Sequence, residues 1–448
     1  MGAIAATPWA IKGILGVLSD TVPIVGYHKS GYIFIAAGIG TLAILALAVL
    51  PIESASVAAI FFAAANFETS VGDLLHEGKY AELMQSKPKT GSTMVTYVWG
   101  NIKVGSVIAA CVVGPVADAY NPKVLYGFMI PFALSIVVPT ALGFLSEEKV
   151  PDEQAGVQWA IFERHPYLIA LCSVMAICAI CNALLGILFF HEKLLQMIFA
   201  LSASLLLAVL AFLWLPRMLA CCNLYMFMAH VLYINLSGAL DYWYTADPDC
   251  VPGGPNFDYT YYITYTTIVG AVSGLVGISV FQHYLSGWSF RPLFWIGTIL
   301  GVIGATFDLF IIYRLNLKVG IPDEWFYVSG NAVLRPILGA AAHMPAIVLT
   351  SKLVPKGLES TTYALLAGFQ NFGSVVSSQI GVFVTKAVGI KTSDGECNFD
   401  NFATLVLIAH CLLPLLAIPL TFVLIPDKRM TDVILDAEKY NLDPADSS

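Results

Sequence analysis

Apolar residues along this chain come in runs of about 20, broken by short stretches rich in glycine, proline and charge. A helix of that length crosses about 30 Å of hydrocarbon. The runs and their breaks predict thirteen spans, at 1–19, 30–50, 54–75, 93–116, 124–145, 167–190, 194–215, 220–242, 259–282, 291–313, 325–350, 361–387 and 402–425. The longest polar breaks fall at 76–92, 146–166, 243–258 and 388–401. A β-barrel needs alternating segments of about ten residues, and that pattern is missing. The reading is an all-α polytopic membrane protein with a charged tail after Asp427, disordered at 443–448.

Composition strengthens this. Hydrophobic residues make up 58% of the 448 residues and charged residues only 12%, about half the charged share of a soluble domain. The net charge of −8, with no basic block, excludes a nucleic-acid partner. Neither GxxxxGK[ST] nor HExxH nor GxSxG occurs, so nucleotide-driven pumping and membrane hydrolysis lack their usual parts. No cofactor is expected. A secondary carrier of a small polar solute remains, with a passive channel and a membrane-embedded enzyme as rivals. A channel would need a continuous polar stripe or a ring of like charges, and the charges here are sparse and mixed.

Sidedness follows from counting. With the turn at 21–29 placed in the cytosol, thirteen Lys and Arg fall on the inner side, six on the outer side and three within spans. That asymmetry fits the positive-inside rule. Of nine cysteines, only Cys250 and Cys397 then lie in outer loops. The outer face is oxidising enough to join them, so a Cys250–Cys397 disulfide is expected.

A charge in a bilayer core is costly and faces a partner or a wet cavity. Lys12, Glu68 and Lys103 are placed about 10–15 Å from the inner boundary by the rise per residue. Glu68 and Lys103 stand on consecutive spans at similar depth and can pair. Arg335 falls near the midplane, with no acid expected at its depth and Asp308 nearer the outer surface. Asn331 lies one turn away on the same face. An unpaired guanidinium facing a cavity suits a carboxylate. Tyr259, Tyr261, Tyr262 and Tyr265, with Tyr242, Trp243 and Tyr244 nearby, sit at the outer boundary. An interfacial belt accounts for them, and stacking on a flat ring is the alternative. His230, His343 and His410 are expected to be buried and hydrogen-bonded.

Four stretches resemble a known family. They are Gly16-Val17-Leu18-Ser19-Asp20-Thr21-Val22-Pro23-Ile24-Val25-Gly26-Tyr27-His28-Lys29, then 71–80, 237–247 and 253–262. Together they resemble the folate–biopterin transporters, in particular their trypanosomatid branch, within the major facilitator superfamily. The resemblance implies two helix bundles: 1–145 as the N-terminal bundle, 146–219 as a central loop with an extra helix pair, 220–426 as a C-terminal six-helix bundle, and 427–448 as a cytosolic tail. By this match the first span corresponds to the family's second helix, leaving the family's first helix without a counterpart. Asp20 resembles the acidic residue of the superfamily's gating loop. With Asp73 and Lys12 it is a candidate for gating and coupling, and Ser360-Thr361 are its expected contact. The resemblance implies proton-coupled uptake of folate, biopterin or a related pteridine across the plasma membrane. Carriers of S-adenosylmethionine belong to the same family and stay open as an alternative. Arg335, Lys103, Glu68 and Asn331 are the candidate substrate contacts.

Overall fold

The apolar runs are helical throughout the computed structural model, which describes residues 2–86, 91–121, 123–151, 156–189, 191–353, 359–393, 396–430 and 432. Most of the tail, and Lys87, Lys89 and Lys356 of the inner-side count, lie outside the described residues. Among the described residues, ten helices are long and apolar enough to cross a membrane. They are α2 (Ser30–Val49), α3 (Ala55–Tyr80, continuing to Ser86), α5 (Lys123–Ala141), α6 (Pro166–Leu188), α7 (Lys193–Trp214), α8 (Arg217–Thr245), α9 (Thr260–Leu285), α10 (Phe290–Ile312), α11 (Asp323–Thr350) and α13 (Phe402–Leu424). Three more fill the remaining predicted places: α1, in pieces Gly2–Ala5, Thr7–Ala10 and Lys12–Thr21, α4 (Gly91–Ala119) and α12 (Glu359–Ala387). A short hairpin, β1 (Lys391–Ser393) and β2 (Glu396–Asn398), links α12 to α13.

Packing explains which faces stay apolar outside. Helix α2 lies against α3 and α5, α9 lies between α4 and α11, and α10 packs on α11. The pair α6–α7 leans on α1, α8 and α12. Elsewhere large apolar side chains point outward, Leu42 at 67% exposed and Leu213 at 71% among them. Such a surface is stable only in a medium as apolar as itself.

Among the described residues α1 and α8 are broken where the sequence predicts continuous spans, and α5 is interrupted for one residue at Ile136. In α1 the chain kinks at Ala6 and Ile11, with Pro8 at the start of the middle piece. Ser70 Oγ donates to the Pro8 carbonyl (3.3 Å) and Asn371 Nδ2 to that of Trp9 (3.0 Å). Helix α8 unwinds between Leu232 and Ser237. Ser377 Oγ donates to Tyr233 O (2.7 Å) and accepts from Asn235 N–H (2.9 Å), while His410 Nε2 meets Ile234 O (2.9 Å). A backbone freed inside the bilayer survives only where neighbours satisfy it in this way. Gly381 supplies the room, because a Cβ there would stand 2.0 Å from Asn235 O.

Candidate functional site

The unwound stretch of α8 lines a cavity of about 220 Å³ toward the disulfide-bearing end. Arg335, Asp308, Asp241, Tyr233, Tyr262 and His410 also line it. Two of the lining residues, Tyr262 and His410, stand on π-helical turns, Thr260–Tyr265 and Leu407–Leu412, and a third π-helical turn, Val328–Leu334, carries Asn331 and connects the lining residues Tyr327 and Arg335. A π turn inserts a residue into the helical repeat and re-aims the side chains beyond it, a device common at functional sites.

Arg335 is not the unpaired cation expected from the sequence. Its Nη1 donates to Asp308 Oδ2 at 3.1 Å, and its Nη2 donates to Tyr233 Oη at 2.7 Å. Tyr244 Oη (2.7 Å) and Asn331 Nδ2 (3.0 Å) donate to the other Asp308 oxygen. Residue counting placed Asp308 too shallow because helical side chains lean toward the N-terminus of their helix. For α11 that end lies on the disulfide side, so the guanidinium reaches toward Asp308. Gly304, one turn before Asp308 on α10, makes way for the stem: a Cβ there would lie 3.3 Å from Arg335 Cγ. The carboxylate is sealed, with 2% of its side-chain surface exposed, whereas Arg335 keeps 38%. The guanidinium is therefore held by Asp308 and still open to the cavity.

The tyrosines divide into two sets. Tyr259 and Tyr265 are 53% and 58% exposed and fit an interfacial belt. Tyr244 and Tyr262 turn inward, and with Tyr327 they pack around Phe257 at ring distances of 5.3–6.4 Å. Tyr233 stacks on His410 at 4.4 Å, the rings 7° from parallel. His410 uses Nε2 on the Ile234 carbonyl, and its buried Nδ1 has no partner among the described residues. Asp241 lies on the short helix beyond the break, and its Oδ1 accepts from Tyr262 Oη at 2.7 Å. Cys250 and Cys397 form the expected disulfide, their Cα atoms 5.2 Å apart. The bridge ties the hairpin to the loop that carries Phe257, whose N–H donates to Tyr244 O (2.9 Å).

A second polar cluster closes the opposite end. Asp20 Oδ2 accepts from Thr361 N–H (2.9 Å) and Thr361 Oγ1 (2.7 Å), binding α1 to the first turn of α12. Tyr80 and Tyr363 meet there through their hydroxyls at 3.1 Å. Lys12, 2% exposed, bonds Asp73 and, at 3.1 Å, Glu77, and its ammonium stands 4.6 Å over the Trp9 ring.

Of the candidate substrate contacts, the structure brings together Arg335 and Asn331 and leaves Lys103 and Glu68 apart from them. Glu68 and Lys103 form no ion pair. Glu68 packs over Gly40 of α2, where a Cβ would stand 2.0 Å from Glu68 Oε2. Lys103 turns instead to α9, its Cε 3.4 Å from the Cβ position of Gly274. Consecutive helices at equal depth need not face each other, and residue counting carries no rotation about the helix axis. Sequence reasoning missed Asp241, Tyr233 and Glu77. Asp241 stood inside a quoted motif, and Glu77 lies one turn beyond Asp73 on the same helix face.

Comparison with known proteins places this architecture. The sequence profile of the BT1 family matches residues 1–444. A folate-biopterin transporter of Synechocystis sp. is 25% identical over 427 residues, covering 93% of this chain and 73% of its own length. Folate transporter 2 of Plasmodium falciparum is 24% identical over 89% of this chain and 74% of its own. Among solved structures, the major facilitator superfamily proton:xylose symporter XylE superimposes with a TM-score of 0.57 at 15% identity, over 96% of this chain and 86% of its own. A bacterial homologue of the iron transporter ferroportin, in an outward-facing state, gives 0.51 at 15% identity, over 94% and 88%. The fold is that of the major facilitator superfamily.

Proposed function

This chain belongs to the BT1 family, and on that footing we propose that it is a secondary carrier moving folate, biopterin or a related pteridine by alternating access. The observation that carries the reading is the broken helix α8. Its unwound residues 233–236 border a tyrosine-walled cavity holding Arg335 and Asp308, while Asp20 and Thr361 seal the far end. Carriers place substrate at unwound helix segments because freed backbone and buried charge converge there. The Asp20–Thr361 contact is then the inner gate: a carboxylate holding the positively polarised N-terminus of α12 in one state and releasing it in the other. Lys12, Asp73 and Glu77 brace that gate. The disulfide fits an outer, oxidising face, and hence the plasma membrane.

Proton coupling belongs to the same proposal. Glu68, 9% exposed and without an ion partner among the described residues, is a carboxylate suited to take up and release a proton as α2 and α3 move.

Labelled folate and biopterin uptake into vesicles bearing the chain tests the reading. Saturable uptake, competed by unlabelled pteridine and driven by an inward proton gradient, is expected. Uptake that rises linearly and is blind to competitors would mean a channel or a leak. S-Adenosylmethionine is the second reading, favoured by one observation: the cavity lining has two carboxylates, Asp241 and Asp308, against one guanidinium. Competition by that cation in the same assay decides it.

A further inference from the structure

The charges of the cavity do not balance, and the remainder identifies what the cavity selects. Asp308 is saturated: Tyr244, Asn331 and Arg335 all donate to it, and only 2% of its side-chain surface is exposed. Its charge answers that of Arg335. Asp241 is what remains. It is exposed on the cavity wall, its Oδ1 accepts from Tyr262 Oη, and no other side chain among the described residues bonds its Oδ2. The uncompensated charge of the cavity is therefore negative. The N-terminus of the short helix beyond the break is already occupied, since Asn235 Oδ1 accepts from Ser237 N–H at 2.9 Å. A ligand carboxylate entering here would face the charge of Asp241, and on the open side of Arg335 it would meet a cation whose charge Asp308 already answers.

A free carboxylate instead accepts two parallel N–H donors from one edge of a flat ring, the arrangement that makes bidentate pairs strong. Tyr262 holds Asp241 in place and with Tyr244 and Tyr327 supplies aromatic walls for such a ring. Tyr233 accepts from Arg335, so its hydroxyl proton is free to donate. The cavity of about 220 Å³ also falls below the roughly 300–1,000 Å³ of pockets that bury drug-sized ligands. It takes a bicyclic ring and not a whole folate.

We propose that Asp241 is the specificity-determining residue of this cavity, receiving the amino–lactam edge (2-amino group and N3–H) of a 2-amino-4-oxopteridine, so that the ring head enters and the glutamate tail of folate stays outside. The inference rests on the pteridine reading above and sharpens it.

The test uses labelled biopterin uptake into vesicles bearing the full chain, with three unlabelled competitors. Pterin has the amino–lactam edge. Lumazine carries a carbonyl where pterin has its amino group and so turns an acceptor toward Asp241. p-Aminobenzoylglutamate is the tail without the ring. Pterin is expected to compete at least about tenfold better than lumazine, the share of one hydrogen bond to a charged group, and p-aminobenzoylglutamate is expected not to compete. In Asp241→Asn the pterin-to-lumazine ratio should fall toward one, while Asp241→Glu keeps a preference for pterin. Equal competition by pterin and lumazine in the wild-type chain overturns the inference whether or not the variants reach the membrane. So does an unchanged ratio in Asp241→Asn, or tail competition as strong as that of pterin. A wild-type chain that takes up no pteridine overturns the carrier reading and this inference together, and that failure is visible before any competitor is added.

Discussion

Lys12 and Arg335 are both cations inside membrane-spanning helices, and their surroundings differ in a way that separates holding from handling. Lys12 is 2% exposed and is shared by two carboxylates of α3, Asp73 and Glu77. Arg335 has a single carboxylate partner among the described residues, is 38% exposed and lines the cavity. An ion cluster built around an enclosed cation resists change, because any rearrangement strands that cation in a poor solvent. A guanidinium with one face satisfied and one face open can meet a ligand without losing its partner. On the proposed reading the first cluster fastens helices and the second belongs to the site.

The largest effects expected from breaking the contrast are at Lys12 and at the disulfide. Lys12→Met leaves the partly exposed carboxylates of Asp73 and Glu77 beside each other with no cation between them and should cost about 2–3 kcal/mol, the fully buried figure reduced for their exposure, read as a fall in the thermal unfolding midpoint in detergent. Adding Asp73→Asn and Glu77→Gln to it should recover most of the loss, since neutral groups need no partner cation. Failure of the triple variant to recover would deny that the cluster acts by charge. The disulfide is comparable in size. Cys250→Ser, or reductant on the wild-type chain, should lower stability by about 2–4 kcal/mol and loosen the loop that carries Phe257 against Tyr244, Tyr262 and Tyr327, with Lys12 and its carboxylates undisturbed. Equal protease sensitivity of residues 246–258 in the oxidised and reduced protein would contradict this. The smallest effect is at the gate. Asp20→Ala removes one helix cap, worth about 1 kcal/mol, and should shift the balance of gate states about fivefold toward an open inner end. Spin-label distances between α1 and α12 would record the shift, and an unchanged distribution would remove Asp20 from the gate.

The ten helices among the described residues that are long and apolar enough to cross a membrane were legible because a bilayer demands long apolar runs, and nothing later in the chain can disguise them. The disulfide was legible through topology, which left only Cys250 and Cys397 outside. The Asp20–Thr361 contact followed from placing both at the same membrane face. Pairings between helices were harder. Asp308 went unrecognised as the partner of Arg335 because depth counting follows Cα positions and ignores the lean of a long side chain. The break in α8 left no proline or glycine at residues 233–236 to announce it. It is sustained by Ser377 and His410, more than a hundred residues away. Glu68 and Lys103 share a depth but not a direction, since α3 turns Glu68 toward Gly40 and α4 turns Lys103 toward Gly274.

Uptake of labelled biopterin by vesicles bearing the wild-type chain, Arg335→Ala, or Lys12→Met with Asp73→Asn and Glu77→Gln, at matched amounts of inserted protein, tests the division between site and fastening most directly. The predicted result is saturable wild-type uptake, none for Arg335→Ala although it folds and inserts, and measurable saturable uptake for the triple variant. Unchanged uptake kinetics in Arg335→Ala would contradict the account.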